Sequence, residues 1–221
     1  VGGLTVSAAG GLAFLDMDGT LLDCSSERMF LGHLARAGMI GPARLFRFAA
    51  RYALHPRRTL AEGPGWNRGY LAGLEEGPIR SEASRFSREE LVPRLRPDAL
   101  SLAAELGSGG FEPVVISASL SWLGEPLAAA AGIPLSFSSV PEAVSGRLTG
   151  RLSGGRPWGG GKLGQALDIC SGAGILPAGC AAAGDSWADR HLLEACGTAV
   201  AVHPDRRLRE LARSRGWRIV G

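Results

Sequence analysis

Lysine is almost missing from this chain: of 24 basic residues in 221, 23 are arginine and one, Lys162, is lysine. Where arginine serves at every other basic position, the site of the exception is informative. Other shortages exclude whole classes of function. The first fifteen residues carry no Lys or Arg, so the basic region of a secretory signal is missing there and a cytoplasmic protein is expected. The longest uncharged stretches, such as residues 1–15 and 169–184, fall short of the ~18–20 apolar residues of a membrane span and are broken by glycine. Cys24, Cys170, Cys180 and Cys196 form neither a CxxC pair nor a zinc spacing, so they read as small buried apolar side chains rather than ligands or disulfides. His33, His55, His191 and His203 are scattered, and none pairs with Ser or Cys in a nucleophile motif.

What is present is globular. Hydrophobic residues at 45% and charged residues at 20% rule out disorder, and 46 Gly plus Pro in 221 stay below a low-complexity composition. The length suits one large domain, or one core carrying an insert. Net charge is +3, and the basic excess is concentrated: between Arg28 and Ala61 there are seven Arg and no Asp or Glu.

Residues 12–16, 113–117 and 180–185 are apolar runs ending in carboxylate, serine and Gly-Asp, which predicts buried parallel strands. Residues 135–139, 198–203 and 217–220 are weaker strand candidates. Helical patterns lie between them at 98–106, with Asp98 as N-cap and Gly107 past the end, and at 122–131, 162–170, 188–195 and 205–215. Such alternation predicts an α/β fold with a doubly wound, Rossmann-like parallel sheet. It breaks at 21–97, where the periodicity is helical throughout. The expected organisation is therefore a core of 1–20 and 98–221 with a helical insert, 21–97, after the first strand. Within the insert, Pro42 suits the first turn of a helix whose Leu45, Phe48, Ala49 and Tyr52 form an apolar face opposite Arg44, Arg47 and Arg51. Residues 144–152 alternate apolar and polar around Gly146 and Gly150, as a hairpin flap would.

Open α/β sheets bind ligands outside the carboxyl ends of their strands. The residues there are Asp16 with Asp18, Ser117, and Asp185 with Asp189. Paired carboxylates after an apolar strand call for a cation, and an oxygen-only donor set without His or Cys suits Mg²⁺ rather than zinc. DxD alone is a weak pattern, since Asp18-Gly19 also makes an ordinary turn. Lys162 could be a surface residue of a glycine-rich loop; a P-loop is excluded because Arg156 and Leu163 stand where that motif needs Gly and Ser or Thr.

The order Asp16-Met-Asp18-Gly19-Thr20, Val114-Val-Ile-Ser117, Gly161-Lys162 and Gly184-Asp185-Ser-Trp-Ala-Asp189 resembles the haloacid dehalogenase superfamily, specifically its subfamily IB with the phosphoserine phosphatases. The tail from Val200 to Asp205 is similar too. The resemblance implies that 21–97 is a cap, that Asp16 is a nucleophile forming an aspartyl phosphate, and that Asp18 is the acid and base. It implies Mg²⁺ held by Asp16, Asp185 and the Asp18 carbonyl, with Asp189 supporting through water. Ser117 and the Ala118 amide would meet phosphate oxygens, Thr20 would line the phosphate site, and Lys162 would offset charge. Dehalogenating members lack the second Asp, so its presence favours phosphoryl chemistry.

Phosphoserine phosphatases carry an acidic residue nine positions after the nucleophile to meet the substrate ammonium. Here Ser25 stands there, and Glu27 follows two positions on. Glu27, with Arg68 as an anchor for a substrate carboxylate, is the candidate pair for leaving-group recognition. The arginines of 28–58 have three readings: a solvated helix face, the most ordinary; a guide for anionic substrates; and a basic amphipathic membrane contact, the weakest. Nucleic acid is not an expected partner, because no stacking aromatics interleave with the basic residues in a known module. Trp187 either packs or walls the pocket, with packing the more ordinary role. The expected function is a Mg²⁺-dependent phosphatase acting on a small phosphorylated metabolite, as monomer or homodimer. A phosphotransferase or mutase of the same fold, and a non-catalytic membrane-peripheral module, are the alternatives.

Overall fold

The structure, a computed structural model, describes residues 10–221. Residues 1–9, which include part of the expected core segment 1–20 and most of the first uncharged stretch, lie outside the described residues.

Strands β1 (Leu12–Leu15), β2 (Glu112–Leu120), β3 (Leu135–Val144), β4 (Arg147–Ser153), β5 (Ala181–Gly184), β6 (Thr198–Val202) and β7 (Arg218–Val220) form one sheet in the order β4-β3-β2-β1-β5-β6-β7. Every neighbouring pair is parallel except β3 with β4. The strand most completely buried, β1, lies between β2 and β5. Its alternating side chains serve two cores: Ala13 and Leu15 join one apolar cluster, while Leu12 and Phe14 join the other on the opposite face. Each such large side chain contributes roughly 1.5–3 kcal/mol by leaving water. The alanines of β5 do the same with little volume, Ala181 and Ala183 on one face and Ala182 on the other.

Between β1 and β2 the regular elements are all helical, beginning with α1 (Ser26–Arg36), α2 (Pro42–Leu54), α3 (Pro56–Glu62) and α4 (Glu76–Phe86), the last continued by a π-helical segment at Ser87–Leu91. After the sheet's centre is set, α5 (Pro97–Ser108) and α6 (Ser121–Ala130) flank β2, and α7 (Gly160–Ala173), α8 (Arg190–Ala195) and α9 (Arg206–Arg215) alternate with the remaining strands. Phe30, Ile79 and Phe86 of the insert share the cluster that holds Leu15. The insert and the sheet are thus packed through one continuous apolar region.

Local expectations shift in instructive ways. Arg96, not Asp98, occupies the N-cap of α5, because Pro97 takes the first helical position that its fixed φ favours. Asp98 falls in the first turn, accepting from the Ala99 amide at 2.9 Å and from His203 at 2.7 Å. Gly107 is inside α5 rather than beyond it. The flap expected at 144–152 is the turn and second strand of a longer hairpin, with Ser145 and Gly146 at positive φ and Gly150 inside β4. Helix 188–195 begins as a 3-10 turn at Trp187–Asp189 and becomes α-helical from Arg190. In α2, Leu45, Phe48 and Tyr52 are half-buried as expected, but Ala49 is exposed and Arg44 turns inward to donate to the carbonyls of Tyr70 and Ala72. Buried main-chain acceptors need donors, so this guanidinium belongs to the fold rather than to a solvated face. Cys170, Cys180 and Cys196 are free and buried, as their spacing implies. Among the described residues no helix is long and apolar enough to cross a membrane.

Candidate active site

Leu15 is in register with Val115 on one side and Ala183 on the other; β1 and β5 end almost level there, while β2 runs on past them to Leu120. Asp16 leaves β1 still donating its amide to the Ala183 carbonyl, at 3.0 Å. Asp185 follows β5, and Ser117 precedes an irregularity in β2, where pairing with β3 skips from Ser117 to Leu120. That irregularity turns Ala118 and Ser119 out of the ladder and toward the carboxylates. The first turn of α7 delivers Lys162 to the same place.

Lys162 is 3% exposed. Its ammonium lies 2.7 Å from Asp16 Oδ1 and also contacts Asp189 Oδ1. Burial alone would lower its pKa, but Asp16 and Asp189 more than offset that and keep it protonated. Asp189 is committed on its other oxygen to the Ser186 amide, 3.1 Å, and hydroxyl, 2.9 Å, a reciprocal capping arrangement that fixes the turn after β5. Carboxylate oxygens of Asp16, Asp185 and Asp189 come within 4.8 Å of one another.

Three carboxylates share one ammonium here, and the electrostatics reflect the imbalance. Burial, then the neighbouring Asp16 and Asp189, push Asp185 up to about 8. Asp16 is raised by burial and by Asp189, against the pull of Lys162. Asp18 is raised to about 7, chiefly by burial, with hydrogen bonding to Ser26 opposing. Its Oδ1 is buried without a hydrogen-bond partner, while Oδ2 accepts a long 3.4 Å bond from Ser25. A buried acceptor without a donor and a cluster with surplus negative charge fit a hard divalent cation and an incoming proton donor. Gly19 is part of the fit: at φ +89° it turns the chain back, and a Cβ there would lie 2.2 Å from Asp185 Oδ2.

A cavity of about 670 Å³ opens over this cluster and extends beneath α1 and α2. Asp16, Asp18, Ser117, Ala118, Lys162, Asp185 and Glu27 line it, so seven of the sequence-derived candidates converge on one space. The other three stand behind it. Thr20 is 1% exposed and donates to Asp185 Oδ1 at 3.3 Å; Asp189 holds Lys162; Arg68, 2% exposed, backs Glu27. Arg68 also donates to the Ala118 carbonyl at 2.6 Å, and Ser139 donates to the same oxygen at 2.8 Å. The Ser119 amide donates to Ser117 Oγ at 3.1 Å, so the irregular stretch of β2 is pinned from both sides of the Ala118 peptide.

Sequence reasoning missed several wall residues: Ser119, Phe48, Tyr52, Tyr70, Arg156 and Trp158. The last two sit in the glycine-rich stretch immediately before Lys162, and a loop bordering a motif residue is where such groups are expected. Trp187, in contrast, does not wall the cavity: its ring lies between the guanidiniums of Arg190 and Arg207, 4.7 and 4.2 Å from its centroid. His33 and His203 pair with Glu82 and Asp98 away from the cavity.

Comparison with known proteins agrees with this geometry. Residues 13–194 match the haloacid dehalogenase-like hydrolase family. A phosphoserine phosphatase of Mycobacterium tuberculosis is 31% identical over 213 residues, covering 94% of this chain and 69% of the relative. A probable phosphatase of the same organism is 28% identical over 225 residues, covering 99% and 77%. Among solved structures, a protein of unknown function from Bordetella pertussis superposes with a TM-score of 0.83 at 28% identity, covering 97% of this chain and 99% of that one. A probable phosphoserine phosphatase from Vibrio cholerae superposes at 0.67 with 20% identity over 91% of this chain and 58% of its own, a likeness of fold. With its motifs gathered at the ends of three adjacent strands and its sequence matched over most of its length, the chain belongs to the haloacid dehalogenase-like hydrolases.

Proposed function

We propose that the protein is a Mg²⁺-dependent phosphomonoesterase acting on a small phosphorylated metabolite through an aspartyl phosphate on Asp16. The observation that carries this reading is the pairing of two carboxylates with opposite surroundings after one strand. Asp16 is held by the Lys162 ammonium, whereas Asp18 is half-buried, has one buried oxygen without a partner and is shifted to about 7. Two carboxylates with such different partners can divide the work of nucleophile and proton carrier.

Asp16 attacks phosphorus, and the bond to the leaving oxygen breaks as Asp18 gives that oxygen its proton. Asp18, now ionised, takes a proton from water, whose oxygen attacks the phosphorus and releases Asp16. The Ser117 hydroxyl and the Ala118 amide donate to phosphoryl oxygens, and Lys162 offsets charge on Asp16 and the phosphoryl group together. Bound Mg²⁺ would be held by Asp16, Asp185 and the Asp18 carbonyl, with Asp189 supporting it through water, and would supply positive charge that one lysine cannot. The helical segment 21–97 acts as a cap whose α1 and α2 roof the cavity and keep bulk water from the intermediate.

Two measurements test this. Phosphate release from p-nitrophenyl phosphate should require Mg²⁺, stop on chelation and return when Mg²⁺ is restored; turnover that ignores chelation would overturn the reading. The second is a stability effect with a definite sign. Carboxyls whose folded pKa is raised, as for Asp18 and Asp185, bind more protons folded than unfolded, so their contribution is lost as pH climbs from about 4 toward 8. Mg²⁺ should therefore raise the melting temperature more at pH 8 than at pH 5, by roughly 2–4 °C for each kcal/mol of added binding. Equal gains at both pH values would count against the Asp185 carboxylate as its ligand.

A further inference from the structure

We infer that Arg156 is a specificity-determining residue that recognises an acid group on the leaving group of the substrate, and that the site disfavours leaving groups ending in an ammonium. The inference rests on the phosphatase reading for what the cavity holds, but the charge pattern that carries it belongs to the other end of the cavity.

Glu27 is the acidic group placed to meet an ammonium, and both of its oxygens are already engaged, its charge offset by a buried guanidinium. Its Oε2 accepts from Arg68 at 2.8 Å and its Oε1 from the Tyr70 hydroxyl at 3.0 Å. Arg68 is in turn fixed by the Gly65 and Ala118 carbonyls, at 2.7 and 2.6 Å. Pulling Glu27 toward a substrate would leave a guanidinium buried at 2% exposure without its carboxylate, and an unpaired buried charge is strongly disfavoured. The same pair takes Arg68 out of reach of a substrate carboxylate, because its terminal nitrogens already donate to Glu27 and to two carbonyls and it is buried behind Glu27, outside the cavity wall.

Arg156 is in the opposite position. It lines the cavity, makes no ion pair among the described residues, and its Nε is buried with no hydrogen-bond partner. Its Nη1 donates to the Glu62 carbonyl, a neutral acceptor on the insert. The guanidinium lies 5.4 Å over the Trp158 ring, and a Cβ on Gly65 would come within 2.3 Å of its Nη2, so it is held in place by packing from both the insert and its own loop. Burial lowers its pKa to about 10, with Arg68 adding to the effect. A half-buried, positioned cation that lines the cavity without an ion pair is suited to receive an oxyanion. Arg28 also lines the cavity, so Arg28 and Arg156 face the leaving-group end while Glu27, the acid there, is paired from behind by Arg68. Phe48, Tyr52 and Tyr70 supply an apolar wall between. The fitting ligand is a phosphomonoester with an apolar body and a terminal acid.

The test is calorimetric binding of unhydrolysed esters to the Asp16→Asn protein with Mg²⁺, using phenyl phosphate, 4-carboxyphenyl phosphate and 4-(aminomethyl)phenyl phosphate. The carboxylated ester should bind about 10-fold tighter than phenyl phosphate, as one charge-assisted contact allows, and the amine should bind more weakly than either. Adding Arg156→Met should reduce the preference for the acid to less than about 2-fold, and Arg156→Lys should restore part of it, a pattern that general loosening of the fold would not give. Tighter binding of the amine, or an acid preference that survives Arg156→Met, would overturn the assignment. Acid preference lost with Arg156→Met, alongside a wild-type protein that hydrolyses none of the three, would keep the assignment and sink the phosphatase reading.

Discussion

Replacing Asp16 by Asn is expected to cut phosphate release from p-nitrophenyl phosphate by on the order of 10⁴-fold or more, while the protein keeps its fold. The size follows from what is removed. An amide cannot supply the electron pair that displaces the leaving oxygen, so no covalent intermediate forms, and the remaining donors can only bind the phosphate. The preserved fold follows from the charge count. Asp16, Asp185 and Asp189 lie within 4.8 Å of one another with Lys162 as their shared cation, and burial and mutual repulsion already raise Asp16 and Asp185. The Asp16→Asn change would leave Lys162 paired with Asp189 and remove one like charge. The metal-free variant should therefore melt no lower than the parent at pH 8, where repulsion is greatest. Acid-quenched protein mixed with phosphate-labelled substrate should carry label in the parent and none in the variant. Turnover surviving within about 10-fold would place the nucleophile elsewhere.

How far this site was legible in the sequence depended on whether a residue's role follows from its neighbours along the chain. Asp16, Ser117 and Asp185 end apolar runs, and parallel strands must put their carboxyl ends together, so their meeting required only that the runs be strands. Lys162 was marked by its rarity and by falling between two of those runs. The insert's helices were visible as a change of periodicity, and the ends of elements were less so: Asp98 looked like a cap, yet Pro97 claimed the turn before it. The hidden part was the leaving-group end of the cavity. Glu27 and Arg68 are 41 positions apart and each looks like a substrate contact in isolation, whereas their ion pair makes them partners of each other. Arg156 had the reverse fate. As one of 23 arginines it carried no compositional signal, and it became distinctive only when the fold placed it on the cavity wall without a carboxylate partner among the described residues. Charge in a sequence is a list of signs; the function of each depends on which ones neutralise each other.

Lys162→Met should be the second most damaging change, and it should fail in a different way from Asp16→Asn. It takes the ammonium from Asp16, 2.7 Å away, and from Asp189, which is 2% exposed, so two buried carboxylates lose their shared cation at once. Breaking a buried pair from one side costs about 3–5 kcal/mol. The loss should be greater at pH 8 than at pH 5, because the orphaned carboxyls can escape it only by taking up protons. Turnover should drop by roughly 10²–10³-fold, the scale for removing one preorganised positive group from a site where charge develops. Mg²⁺ should recover part of the melting temperature, since it too can neutralise the cluster, but not the rate, since one cation would then stand in for two positive groups. Lys162→Arg sharpens the test. A guanidinium keeps the charge, so it should regain stability, yet its planar fork cannot replace a compact ammonium at 3% exposure and should leave turnover well below the parent. Full activity in Lys162→Arg would mean that only the sign of the charge matters there, and the chain's single departure from arginine would then have no catalytic reason behind it.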